Sequence, residues 1–194
     1  SNLYYMGYKN QLVLTGALDD VGSPIRENSG KSYRAGIELE SVYKATNKLN
    51  ISANISFSEN KNVDYKTNYN GVITDWGDTD ISFSPNVISS AGIQFSASED
   101  LTLTLLNKFV GNQYMSNTES NISKLSSYST SDLNILYTIK NSAYFSEIIF
   151  TAMINNIFNK EYVSNGYYYT YDDTWSDPNL ITTIEGTGYY PQAK

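Results

Sequence analysis

Seven runs of alternating apolar and polar residues, joined by links that are alternately short and long, constrain this chain more than any other feature. Strict alternation sends successive side chains to opposite faces of a sheet, so each such strand has one apolar and one polar face. Residues 49–58 are the cleanest case: Leu49, Ile51, Ala53, Ile55 and Phe57 point one way, Asn50, Ser52, Asn54, Ser56 and Ser58 the other. In the preceding run Tyr33, Ala35, Ile37, Leu39 and Tyr43 oppose Arg34, Gly36, Glu38, Glu40 and Lys44. The pattern returns in residues 87–97, 101–109 and 132–139, and more weakly in 148–155 and in the Tyr-rich run 3–14.

The links separate into two classes. Short ones lie near 45–48, 98–100 and 141–144, and long ones near 15–31, 59–84, 112–127 and 158–187. The long links hold most of the Gly, Asn, Asp and Ser and read as loops. Tight turns at one end and long loops at the other are the habit of outer-membrane barrels. The pattern therefore predicts an all-β fold of antiparallel amphipathic strands forming barrel wall. A soluble β-sandwich alternates too, but has no reason to place every long link at one end.

Composition removes several functions. The formal charge is −7, and no Lys/Arg-rich run stands out, which argues against nucleic-acid binding. With no Cys there is neither a disulfide framework nor a thiolate metal site. With no His, the usual general base, the usual zinc ligand and a Ser-His-Asp triad are all excluded. No stretch is long and apolar enough for a transmembrane helix. A mean hydropathy of −0.39 is compatible with a barrel, in which only alternate strand residues meet lipid. Eighteen Tyr and seven Phe suit interfacial girdles; Tyr4, Tyr5, Tyr8, Tyr33, Tyr43, Phe83, Phe109, Tyr114, Tyr128, Tyr144 and Phe145 fall at or near the ends of the runs.

Residues near the C-terminus carry a family likeness. Asn155, Asn156, Ile157, Phe158, Asn159, Lys160 and Tyr162, followed later by Tyr189, Tyr190 and Pro191, resemble the end of a TonB-dependent outer-membrane receptor. Tyr8, Lys9, Asn10, Gln11 and Leu12, and then Gly36, Ile37 and Glu38, are similar to members of the Bacteroidetes-type lineage. The resemblance spans essentially the whole chain. It implies a 22-stranded barrel closed by a plug, to which residues 1–194 contribute about seven strands of the C-terminal part, without plug, early strands or final strand. It also implies the outer membrane of a Gram-negative bacterium, energy from the TonB complex through the plug, and a scarce imported ligand such as a ferric siderophore, cobalamin or a glycan. Open strand edges would leave backbone groups unpaired, so such a segment is expected to self-associate, curl, or refold when isolated.

On this reading 158–187 is an extracellular loop. Its Tyr167, Tyr168, Tyr169, Tyr171, Asp172, Asp173, Trp175 and Asp177 are candidate ligand contacts, with Trp76 in the loop 59–84. The run TDWGDTD, with Asp75, Asp78 and Asp80, lacks EF-hand spacing and reads as an Asp/Gly turn. Arg34, Glu38, Glu40, Lys108 and Asp132 lie on polar faces and are expected to point into the lumen, toward the plug. No resident cofactor, metal site or catalytic set is expected, because no nucleophile–base pair, phosphate-cradling Gly loop or metal-ligand cluster is legible. Two other readings compete: a soluble carbohydrate-binding sandwich that stacks sugars on Trp76 and Trp175, and a glycosidase-like enzyme using a carboxylate pair.

Overall fold

A computed structural model of the chain describes residues 1–19, 21–69, 72–140, 144–173, 175–177, 180 and 182–191. Its strands are β1 (Asn2–Lys9), β2 (Leu12–Leu18), β3 (Pro24–Asn28), β4 (Lys31–Lys44), β5 (Leu49–Tyr69), β6 (Val72–Asp80), β7 (Val87–Ser96), β8 (Leu101–Val110), β9 (Gln113–Tyr114), β10 (Lys124–Leu125), β11 (Tyr128–Lys140), β12 (Glu147–Ile154), β13 (Val163–Asp173) and β14 (Thr182–Pro191). A 3-10 turn at Asn121–Ser123 is the sole helical element among the described residues. Seven strands form one antiparallel sheet in the order β1-β4-β5-β7-β8-β11-β12, with β6 added to the far half of β5.

The register shows why the alternation matters. Tyr43 lies opposite Ile51, which lies opposite Ile93, then Leu105, Leu133 and Ile154, giving one apolar row across six strands. The row Leu49–Phe95–Leu103–Ile135–Ala152 runs beside it on the same face. On the other face Lys44, Asn50, Gln94, Thr104 and Asn134 are in line, and Asn50 donates to Gln94 at 3.3 Å. The apolar residues thus make one continuous band on one sheet and do not converge from two facing sheets. The sandwich expectation fails here, since the apolar positions share one face of one sheet.

These apolar side chains are exposed: Ile93, Phe95 and Phe57 keep close to 45% of their surface, Phe150 56%. Leaving them in water would forfeit about 25 cal/mol per Å² of apolar surface. The band is therefore a lipid face.

The ends of the wall differ as expected. At one end β4 and β5 are joined by a tight turn in which Ala45 and Thr46 donate to the Leu49 carbonyl. The β7–β8 turn repeats it, with Ala97 and Ser98 donating to Leu101. The third short link includes residues 141–143, which lie outside the described set. All four long connections emerge at the opposite end.

Three of the four are not loops in the sense the composition suggested, because most of their length is strand; 112–127 holds only the short β9 and β10. Residues 15–31 hold the β2–β3 hairpin and 158–187 most of the β13–β14 hairpin, and these join in a four-stranded sheet ordered β14-β13-β2-β3. The run 3–14 breaks at Asn10, whose φ is 55°, so it supplies the wall strand β1 and then the start of β2. TDWGDTD is no Asp/Gly turn but most of β6, bulged against β5. Asp and Gly deplete strands only weakly when side-chain pairing repays them, and here Lys66 binds Asp75 at 2.8 Å. β5, at 21 residues, is about twice the 9–11 needed to cross a bilayer, so its β6-paired half stands beyond the membrane. The densest burial also lies in this outer layer: Val13, Ala17, Tyr65, Ile81, Met115 and Leu125 are buried.

Because neighbouring positions of β8 face lipid and lumen, Leu105→Arg and Thr104→Arg should differ sharply. Near the bilayer midplane the first is expected to cost ~2–4 kcal/mol and the second under about 1 kcal/mol, measured by urea unfolding of the complete barrel in lipid vesicles.

Candidate functional site

The outer layer encloses a cleft of about 430 Å³ lined by β2, β3, β5, β6, β13 and β14. A second depression of about 340 Å³ lies on the wall itself, where Ser41, Ala53 and Ala91 leave a trough between larger apolar side chains. A third, of about 310 Å³, is lined by Lys124, Tyr128, Lys160, Glu161, Tyr162 and Tyr189. The first combines aromatic rings with carboxylates: Trp76, Tyr168, Tyr171, Glu27, Asp172 and Glu185, with several threonines.

Tyr168 is the piece that shapes it. Its ring lies over Gly16, whose φ of 89° favours glycine and whose missing Cβ leaves the space; a Cβ there would sit 2.7 Å from the ring. Next to this contact Thr170 meets Ala17 in a parallel bridge, which joins the first and last hairpins. The Tyr168 hydroxyl donates to Glu185 Oε1 at 2.6 Å, and burial, then Glu185, raise its pKa, so it stays a protonated donor. Glu185 Oε2 also accepts from Ser120 at 2.9 Å. Asp172 accepts from Thr183 at 2.9 Å, and the Trp76 indole donates to Thr67 at 3.0 Å. Burial raises the pKa of Glu27, against the pull of the Tyr65 hydroxyl 3.5 Å away. Tyr168, Glu185, Asp172 and Trp76 are thus held in fixed poses at the cleft.

Of the residues singled out in the sequence, Trp76, Tyr168, Tyr171 and Asp172 line the cleft. The others do different work. Tyr167 and Tyr169 belong to a stacked ladder on β13 with Tyr171, centroids 6.2 and 6.3 Å apart, and Tyr167 also meets Tyr190. Asp173 caps the turn after β13, accepting from the Ser176 hydroxyl at 2.5 Å and the backbone of Trp175 at 2.9 Å, which lower its pKa. Trp175 is 89% exposed in that turn, apart from Trp76, so the two do not form a shared platform. Asp177 is not among the residues lining the cleft; its backbone carbonyl receives the Leu180 amide at 3.1 Å.

Arg34, Glu38, Glu40, Lys108 and Asp132 all fall on the polar face. Glu40, Asn54, Ser90 and Lys108 form a single cross-strand row. Arg34 donates to Asn60 at 3.1 Å, and Glu38 accepts from Asn2 at 3.2 Å. Asp132 accepts the Asn156 amide at 2.7 Å, which ties it to the turn after β12. That turn is the Asn-rich motif itself: Asn156 (φ 49°) donates from Nδ2 to the Lys160 carbonyl at 3.0 Å and accepts the Lys160 amide at 2.9 Å. Its sequence signal is structural.

Asn117, which no sequence pattern marked, is 1% exposed and binds three segments: Nδ2 donates to the Leu14 carbonyl at 3.0 Å, and Oδ1 accepts from the Ser82 amide at 2.9 Å and Asn62 at 3.3 Å. Glu27 and Glu185 were also missed, because a lone Glu in a polar stretch carries no spacing signal. Asp75, Asp78 and Asp80 serve as strand partners, to Lys66, the Asp64 amide and Lys61. Among the described residues no group of three or more Asp or Glu is gathered as a metal site would need.

A wall with one continuous apolar band, tight turns at one end and folded hairpins around a cleft at the other defines a segment of a membrane β-barrel. Residues 1–157 match the family described as TonB dependent receptor-like, beta-barrel, and the chain belongs to that family. Receptors of this family are transport proteins of the Gram-negative outer membrane. No curated protein matches. Among solved structures, the chain is similar to the siderophore receptor PiuA from Acinetobacter baumannii at TM-score 0.62 and 20% identity, over 95% of this chain and 24% of that one. It is similar to the ferric yersiniabactin uptake receptor FyuA from Yersinia pestis at 0.60 and 16%, over 85% and 23%. For the ferric-catecholate import receptor Fiu from K12 E. coli the values are 0.58 and 15%, over 84% and 21%. The chain therefore spans about a quarter of the length of these receptors.

Two outcomes are expected. Asn117→Ala removes a partner from buried Asn62 and from the half-buried Leu14 carbonyl and Ser82 amide and should cost ~2 kcal/mol or more, read as faster proteolysis of the outer hairpins. For Glu27, a folded pKa above the ordinary 4.5 means its favourable contribution is present below that value and lost as pH rises through the folded pKa. Glu27→Gln should thus leave melting unchanged in acid and raise it at neutral pH.

Proposed function

We propose that this chain is part of the wall and outer cap of an importer that takes up a scarce, bulky ligand, a ferric siderophore in the first place, with energy delivered by TonB through a plug. Cobalamin and glycans are the other ligand classes of the same reading. The observation that carries it is the cleft: an aromatic and carboxylate-lined recess held by hydrogen bonds at the outer end of a lipid-facing wall. Recognition surfaces combine an apolar stacking area with a few fixed polar groups, which Trp76, Tyr168 and Asp172 supply. The polar face carrying Arg34, Glu38, Glu40, Lys108 and Asp132 is the lumen side, where a plug docks. Both edge strands, β1 and β12, pair on one side only among the described residues, which is where the remaining wall strands attach.

In the full-length receptor, Trp76→Ala and Tyr168→Ala should each weaken ligand binding about tenfold, equivalent to about 1.4 kcal/mol, in equilibrium binding to outer-membrane vesicles. Glu38→Gln combined with Glu40→Gln should instead leave binding intact and alter TonB-dependent uptake. Unaltered uptake removes these two carboxylates from the plug contact, and uptake independent of TonB removes the importer reading.

A further inference from the structure

The charge of this chain is not spread evenly, and its placement bears on which ligand the cleft accepts. The four long connections, 15–31, 59–84, 112–127 and 158–187, contain 14 of the 20 acidic residues and 6 of the 13 basic ones. The wall and short turns are left close to neutral, so the net −7 resides in the outer layer.

Three of the six cations of that layer, Lys61, Lys66 and Lys124, are engaged outside the cleft, and Lys160 lines a separate depression with Lys124. Burial opposes the charge on Lys61, but Asp80 at 2.7 Å and Glu119 at 3.5 Å outweigh it. Lys66 pairs with Asp75, and the Lys124 ammonium lies 5.8 Å from the centre of the Tyr114 ring. The described residues lining the cleft include Glu27, Asp172 and Glu185 and no Lys or Arg. A recess with walls of one sign concentrates ligands of the opposite sign and repels those of its own. Aromatic rings and hydroxyls add stacking and hydrogen bonds, and the indole face also attracts cations.

We propose that the receptor discriminates by ligand charge: the cleft accepts a ferric chelate that is uncharged or positively charged, such as a ferric trihydroxamate, and rejects the trianionic ferric tris-catecholates. This rests on the siderophore-import reading and adds the class of siderophore. It separates this chain from the ferric-catecholate import receptor Fiu, whose fold it shares. Glu27, Asp172 and Glu185 act through their field, and Trp76 and Tyr168 supply the contact surface.

The test is binding of three radio-iron complexes to vesicles carrying the full-length receptor: an uncharged ferric trihydroxamate, its monocationic analogue, and a ferric tris-catecholate. The two hydroxamate complexes should bind at least tenfold tighter than the catecholate, with a gap that narrows as salt rises. A Glu27→Gln, Glu185→Gln receptor should lose most of that gap, with catecholate binding rising toward that of the hydroxamates. Since Glu185→Gln replaces the charged acceptor of Tyr168 by a neutral amide oxygen, Glu27→Gln alone serves as a second variant that leaves that hydrogen bond as it is. Catecholate binding equal to or tighter than hydroxamate overturns the charge assignment and leaves siderophore import standing. Failure to bind any iron complex, with TonB-dependent uptake of cobalamin or a glycan, overturns both together.

Discussion

The arrangement depends on a solvent constraint. Lipid offers the backbone no hydrogen bonds, so a wall can exist there only if each amide and carbonyl is paired strand to strand. The regular antiparallel ladders from β4 through β12 satisfy that requirement. Because the ladder fixes register, it also fixes which side chains share a face, and a slip of one residue would turn the charges of β4 toward lipid. Arg34, Glu38 and Glu40 on one side of β4, and Ile37, Leu39 and Tyr43 on the other, thus specify the pairing as firmly as a buried core does in a soluble protein.

Beyond the membrane the constraint reverses. There, water is present and burial must come from the protein's own hairpins, so the tight packing is around Tyr65, Leu125, Met115 and Asn117 and not in the wall. Asn62 and Asn117 are buried as a hydrogen-bonded pair at 3.3 Å, an arrangement that fixes geometry more than it adds stability. The cleft is the space left between hairpins held in this way.

The wall was legible in the sequence and the outer layer was not, for the same reason. Membrane strands obey a period of two because two different solvents face their two sides, and Leu49 to Phe57 shows it without ambiguity. The outer hairpins have no such contrast. Tyr167 to Tyr171 are strand residues with aromatics on both faces, and TDWGDTD pairs through Lys66–Asp75 and a bulge, neither visible without the partner strand. The candidate site was accordingly half legible: aromatic content pointed to Trp76 and Tyr168, whereas Glu27, Glu185 and Asn117 matter through neighbours far away in sequence. Asn156 was noticed through its motif, and its role proved to be turn geometry.

The single parallel bridge between Thr170 and Ala17 has a mechanical meaning. β2 grows from β1 at one end of the seven-strand arc and β13 from β12 at the other, about 29 Å apart along the arc at the usual strand spacing. Their meeting closes the arc like a tie-rod across an arch. Any splaying of the wall must first part that bridge, lift Tyr168 from Gly16 and separate Glu185 from Ser120, so the breathing of the outer mouth and the curvature of the wall are one degree of freedom and not two.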